Sequence, residues 1–201
     1  MKKSVILVLL FVISYSSLAQ KNENKIKEII TLRNKSKNPN SSFKERLHYA
    51  EKSVELSKTI KLDSSVLLSN RQLSLLYYEN DQFEDYLKVN RDNIALAKKL
   101  KDSTAIAVAN DNLARYYHAN QENDSAYYYY SKALNYYSLT NKLNQKATTL
   151  LNIADIQDTE KDYLGSEENA ISALRIFENL FKTEDNQENL WILNNLLGII
   201  S

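Results

Sequence analysis

Cysteine is absent from the 201-residue chain, and glycine and proline are nearly so, with two copies and one. Without thiols there can be no disulfide, no thiolate metal site, no thiol redox chemistry and no lipid attached through cysteine. A β-sandwich or barrel needs many Gly, Asn-Gly or Pro turns, and a nucleotide-binding α/β domain needs a Gly-rich loop. Helices are what remains, and the chain reads as all-α. Only two histidines occur, His48 and His118, and neither sits in a His-Glu-x-x-His pattern. Asp155, Asp158 and Asp162 cluster in DIQDTEKD, but without the alternating acids and central glycine of a calcium loop. There is no Gly-x-Ser-x-Gly elbow, and Glu167 and Glu168 lie side by side instead of facing across a cleft. No catalytic residue, cofactor or metal is expected.

The first twenty residues, MKKSVILVLLFVISYSSLAQ, place Lys2 and Lys3 before an apolar run from Val5 to Ile13 and small residues at Ser17 and Ala19. This is the three-part pattern of a secretory signal peptide, with cleavage expected after Ala19 and export to the periplasm or the extracellular face of the membrane. The run is about half of the roughly 20 residues a bilayer span needs. Losing Lys2 and Lys3 with residues 1–19 takes the formal charge from +1 to −1 (1 − 2). Phosphate backbones demand clustered cations, so a nucleic-acid partner is not expected.

A repeat organises the remainder. NRQLSLLYYENDQFEDY at 70–86, NDNLARYYHANQENDSA at 110–126 and LNIADIQDTEKDYLGS at 151–166 align, with Leu73, Leu113 and Ile153 spaced by 40 and followed by Ser74, Ala114 and Ala154. Val54, Ile94, Leu134 and Leu174 form a second 40-residue ladder. Within the middle segment, Ile106, Ala109, Leu113 and Tyr116/Tyr117 share one helical face, and Ala126, Tyr130, Ala133 and Tyr137 share another. Each repeat is therefore expected to be a pair of amphipathic helices. Ser42 with Glu45 and Asp81 with Glu84 have capping-box spacing, Ser103 and Asp124 read as further caps, and Pro39 breaks the chain ahead of Ser42.

These residues resemble the tetratricopeptide repeat (TPR) proteins, exported bacterial members with repeats of about 40 residues in particular. The middle repeat carries the motif as Leu113, Ala114, Tyr117, Ala126, Tyr130, Ala133 and Leu134. The third keeps Ile153, Ala154, Ser166, Ala170, Ala173 and Leu174 but has Gln157 for the aromatic. The first has Tyr86, Asn90 and Asn93 where small, aromatic and small residues are usual. The resemblance implies a right-handed α-solenoid of antiparallel helix pairs, a TPR-like superhelix. The expected organisation is a signal peptide at 1–19, an N-terminal helix pair at 20–63, repeats at 64–102, 103–142 and 143–185, and the first helix of a fourth repeat at 186–201.

The family register also implies a binding groove lined by the first helix of each repeat. It would comprise Leu68, Arg71, Leu75 and Tyr78, then Val108, Asp111, Arg115 and His118, then Thr148, Leu151, Asp155 and Asp158. The Lys and Asn clamp with which some members hold a peptide carboxylate is not reproduced. Asp111 and Arg115, at i and i+4, either contact a ligand or pair on the helix surface. In the tyrosine-rich stretch DSAYYYYSKALNYY, Tyr130 and Tyr137 are expected to fill the seam between helices, Tyr127 to flank the next repeat, and Tyr129 and Tyr136 to share an outer stripe. An aromatic platform for a sugar or peptide is the alternative.

In NLWILNNLLGIIS the apolar residues surround most of the helix, unlike the polar cap that ends a repeat array. Trp191, Leu193, Leu196, Leu197 and Ile200 are therefore expected to form a partner interface. The expectation is a protein- or peptide-binding module, the sensory N-terminal part of a longer membrane-associated signalling protein. The alternative is a stand-alone exported scaffold that self-associates through its last helix.

Overall fold

The computed structural model describes residues 20 and 22–181, with eight helices and no strand among them. In chain order they are α1 (22–36), α2 (Phe43–Thr59), α3 (Asp63–Glu79), α4 (Phe83–Leu100), α5 (Ser103–Ala119), α6 (Asn123–Leu139), α7 (Leu143–Thr159) and α8 (Tyr163–Phe181). The expected signal peptide at 1–19 and the interface residues Trp191, Leu193, Leu196, Leu197 and Ile200 lie outside the described residues. No helix among the described residues is long and apolar enough to cross a membrane.

Lys61, Asp81, Lys101, Gln121, Asn141 and Lys161 all have φ between 52° and 65°, so a left-handed residue recurs every 20 positions and two helices make up the 40-residue period. Each turn closes in the same way: the next residue's N–H donates five residues back, as from Leu62 to Ser57 O at 3.2 Å, Asp102 to Ala97 O at 2.9 Å and Asp162 to Gln157 O at 2.8 Å. This is the Schellman closure, which satisfies carbonyls left over at a helix end. Glycine usually fills the left-handed slot because side-chain residues there cost about 1–2 kcal/mol. Here none of the six is glycine, so the near-absence of glycine does not mean an absence of turns.

The same geometry revises the helix starts. The Ser42 and Glu45 capping box forms, with Glu45 N–H donating to Ser42 Oγ at 3.3 Å and Ser42 N–H donating to Glu45 Oε2 at 3.0 Å. These Ser42 bonds, side chain first and backbone second, hold the Glu45 carboxyl below its ordinary range. Asp81, in contrast, is the left-handed turn residue, two positions before Phe83 opens α4. Asp102, not Ser103, caps α5, accepting from Ala105 N–H at 2.9 Å. Asp124 lies inside the first turn of α6, whose N-cap is Glu122 with no side-chain bond.

The chain divides into two compact units, up to Val89 and from Asn90. In the first, Ala50, Val54, Leu73 and Leu76 form the core with Tyr77 and Val89 against them. The α2–α3 seam beside it is lined with buried serines: Ser57 Oγ donates to Ser53 O at 2.7 Å and lies 3.1 Å from Ser65 Oγ and 3.4 Å from Ser69 Oγ. In the second unit, Ala114, Ala126, Tyr130, Ile153 and Ile156 form one cluster, and Ala147, Leu150, Ala173 and Phe177 another.

Tyr130 and Tyr137, 1% and 3% exposed, fill the seams as expected, and burying an aromatic removes about 150–250 Å² from water. Tyr129 and Tyr136 do not form an outer stripe. Tyr129 stacks on Tyr117 at 5.4 Å with ring planes 3° apart, and Tyr136 packs against Ala107, Ala133 and Tyr137. The exposed tyrosines of the run are Tyr127 and Tyr128.

Candidate binding face

On α3, Leu68, Arg71, Leu75 and Tyr78 fall at i, i+3, i+7 and i+10 and all are exposed. The helix turns Leu67, Leu73 and Leu76 inward, so three large apolar side chains remain outward, with Leu68, Leu75 and Tyr78 at 52%, 47% and 42% exposure. Tyr78 is held in place by neighbouring rings, 6.0 Å from Phe83 edge-on and 5.2 Å from Tyr86. This stretch is an apolar stripe carrying one cation.

The corresponding face in the second unit has different chemistry. Arg115 Nη2 lies 2.8 Å from Asp111 Oδ2, so the expected pair forms, but it is not a surface pair. Asp111 is 5% exposed, and only Arg115 reaches solvent. Burial pushes the Asp111 carboxyl above its ordinary value of 3.8, while the Arg115 charge and the Thr149 hydroxyl pull it back. Thr149 Oγ1 donates to Gln145 O at 2.8 Å and lies 3.4 Å from Asp111 Oδ1, tying α7 to α5. A second tie is His118 Nε2 to Asp155 Oδ2 at 3.1 Å, with the imidazole edge-on to Tyr130 at 6.1 Å.

Asp111, Arg115, His118 and Asp155 are thus brought together by α5 and α7, while Arg71, Leu75 and Tyr78 form a group of their own on α3. The four polar residues pair in two rungs, with Arg115 and Asp155 as the solvent-facing members. Among the described residues, no group of three His, Asp or Glu side chains could hold a metal. Thr149 escaped the sequence reading, which placed its neighbour Thr148 on this face. Two further pairs become visible only by applying the 40-residue offset to both helices at once. Tyr117 and Tyr129 stack, with Arg91 Nη2 donating to Tyr117 Oη at 3.0 Å. At the equivalent positions, Asn169 Nδ2 donates to Gln157 Oε1 at 2.6 Å.

Among solved structures, BtubC (BKLC) from P. vanneervenii superposes with a TM-score of 0.63 over 85% of this chain and 80% of its own, at 14% identity. The fold is a TPR-like solenoid. The TPR-like repeats of a kinesin light chain from Podosopora anserina align less well, with a TM-score of 0.44 at 16% identity over 85% of this chain and 93% of theirs. No family model and no curated protein matches the chain. The TPR-like register places Leu73, Leu113 and Ile153 in buried positions of α3, α5 and α7, each followed by a buried small residue.

Proposed function

We propose that the chain is a non-catalytic module that binds a protein or peptide through the exposed face of α3. The carrying observation is the stripe of Leu68, Leu75 and Tyr78 around Arg71, three large apolar side chains held at the surface of a helix whose opposite side is fully packed. An apolar patch with a polar rim is the usual mark of a partner site. An envelope pull-down with the tagged chain tests this: proteins retained by the wild type should be lost with Leu75→Glu/Tyr78→Ala, and equal retention would overturn the reading.

The finer reading is an exported sensory segment of a longer membrane-associated signalling protein. It is supported by the signal-peptide pattern at 1–19 and by the family resemblance. The intact mass of the native protein from fractionated cells decides it. A membrane-fraction chain far heavier than 23.2 kDa supports the signalling protein. A soluble chain about 2 kDa lighter, the mass of a removed signal peptide, would leave the second reading, a stand-alone scaffold. In that reading the apolar residues of 189–200 would form the association surface, and concentration-dependent association would support it.

A further inference from the structure

The second unit carries a hollow of about 330 Å³ that shares no residue with the candidate binding face. Ile94 and Lys98 of α4 form one wall, Lys132, Tyr136 and Leu139 of α6 the other, and Ile106 of α5 lies at the floor. Leu139 is 77% exposed, and no carboxylate lines the hollow among the described residues. Each wall pairs an apolar side chain with a lysine at i, i+4, but in opposite order: Ile94 then Lys98, Lys132 then Tyr136. Lys132 is held over the Tyr128 ring, 4.7 Å from its centroid.

The repeat fixes the spacing of the two cations. Lys98 is equivalent to position 138, six residues along the helix from Lys132 (138 − 132). At 1.5 Å per residue, this register corresponds to an axial offset of about 9 Å for helices stacked level, added to the sideways separation of α4 and α6. A helix with acids at i and i+7 spans about 10.5 Å and places the residues at i+3 and i+4 between them, on the same face.

We propose that this hollow docks an acidic amphipathic helix of a partner protein. One large apolar side chain enters between Ile94, Ile106, Tyr136 and Leu139, and carboxylates one turn to either side meet Lys98 and Lys132. The volume lies at the small end of the range for ligand sites, which suits a single side chain. An anionic membrane is the poorer occupant. Electrostatic membrane docking uses clusters of about 4–8 cations on an open surface, whereas this site has two cations around a concavity.

The test is fluorescence anisotropy of the full chain with a labelled 15-residue helical peptide bearing Glu at i and i+7 around Leu-Trp at i+3 and i+4. Lys98→Glu/Lys132→Glu should weaken binding at least tenfold, as should Gln in place of both Glu. Both lysines are exposed, so the variant should keep the wild-type circular dichroism. Leu75→Glu/Tyr78→Ala should leave binding unchanged, separating this site from the α3 face. The proposal is overturned by no binding, by equal binding of the Gln peptide, or by loss with the α3 variant. Tighter, lysine-dependent binding to mixed phosphatidylcholine and phosphatidylserine vesicles than to the peptide would also overturn it and assign the hollow to a membrane surface.

Discussion

At one and the same place in the repeat, α5 and α6 stack two tyrosine rings, while α7 and α8 join two amides. Tyr117 and Tyr129 meet at 5.4 Å nearly parallel, and Gln157 and Asn169 are linked by a 2.6 Å hydrogen bond. The offset of 40 makes the pairs equivalent, so geometry decides that these two positions touch but not what they are made of. What each chemistry needs is set by its surroundings. The amide pair extends into a network in which Gln157 Nε2 also donates to Asp162 Oδ2 at 2.9 Å and Gly165 N–H donates to Asp162 Oδ1 at 3.1 Å. A Cβ on Gly165 would stand 2.1 Å from Gln157 Nε2 and 2.3 Å from Asp162 Oδ2. A side chain there would make the ends of Gln157 and Asp162 shift, and the aromatic version has Ser125 at the equivalent position.

The largest expected effect separates seam tyrosines from surface ones. Tyr130→Ala should cost about 3–5 kcal/mol, as for other buried aromatics, whereas Tyr128→Ala, which loses only the exposed Lys132 contact and an edge-on contact with Tyr129, should cost no more than about 1–2 kcal/mol. Urea unfolding of both variants measures the contrast, and equal losses would mean that the tyrosine run is not divided as described. The next effect exchanges the two chemistries. Gln157→Tyr alone should destabilise by about 1–3 kcal/mol, through overpacking and the loss of a partner for Asn169. Adding Asn169→Tyr should recover part of this, with a coupling energy above about 0.5 kcal/mol in a double-mutant cycle. Simple additivity would show that the two positions are not the interacting pair.

The smallest effect concerns the contrast between buried Asp111 and its α7 equivalent, Leu151, which does not titrate. The folded-state pKa of Asp111 is raised above the unfolded value, so the folded chain holds this proton more tightly. Its contribution to stability is present below 3.8 and is lost as pH rises from there through the folded value. Asp111→Asn removes that dependence. The difference in unfolding free energy between wild type and variant should therefore move against the wild type across this window, and a flat difference would contradict the burial argument.

Much of the fold was legible because hydrophobic periodicity and a fixed period report on contacts. Leu73, Leu113, Ile153, Tyr130 and Tyr137 fall where their spacing puts them. Spacing gives the face of a helix but not the depth of a residue on it. Asp111 therefore read as a surface partner of Arg115, and Tyr129 and Tyr136 read as an outer stripe. The caps were misplaced for another reason. Side-chain signals such as Asp81 and Asp124 compete with a turn closed by the backbone itself, and the backbone closure sets where the helices begin.

The glycine-free turns bear on how such a chain can change in length. Their closure depends on counting residues and hardly at all on which residue stands in the left-handed slot. One added or lost residue rotates everything beyond it within that helix by about 100°, swapping core for surface. An inserted single helix with its turn restores the rhythm of the turns but sets a first-helix face where a second-helix face is needed. Only whole helix pairs leave every face where its neighbour expects it, so the pair is the natural unit of growth by duplication.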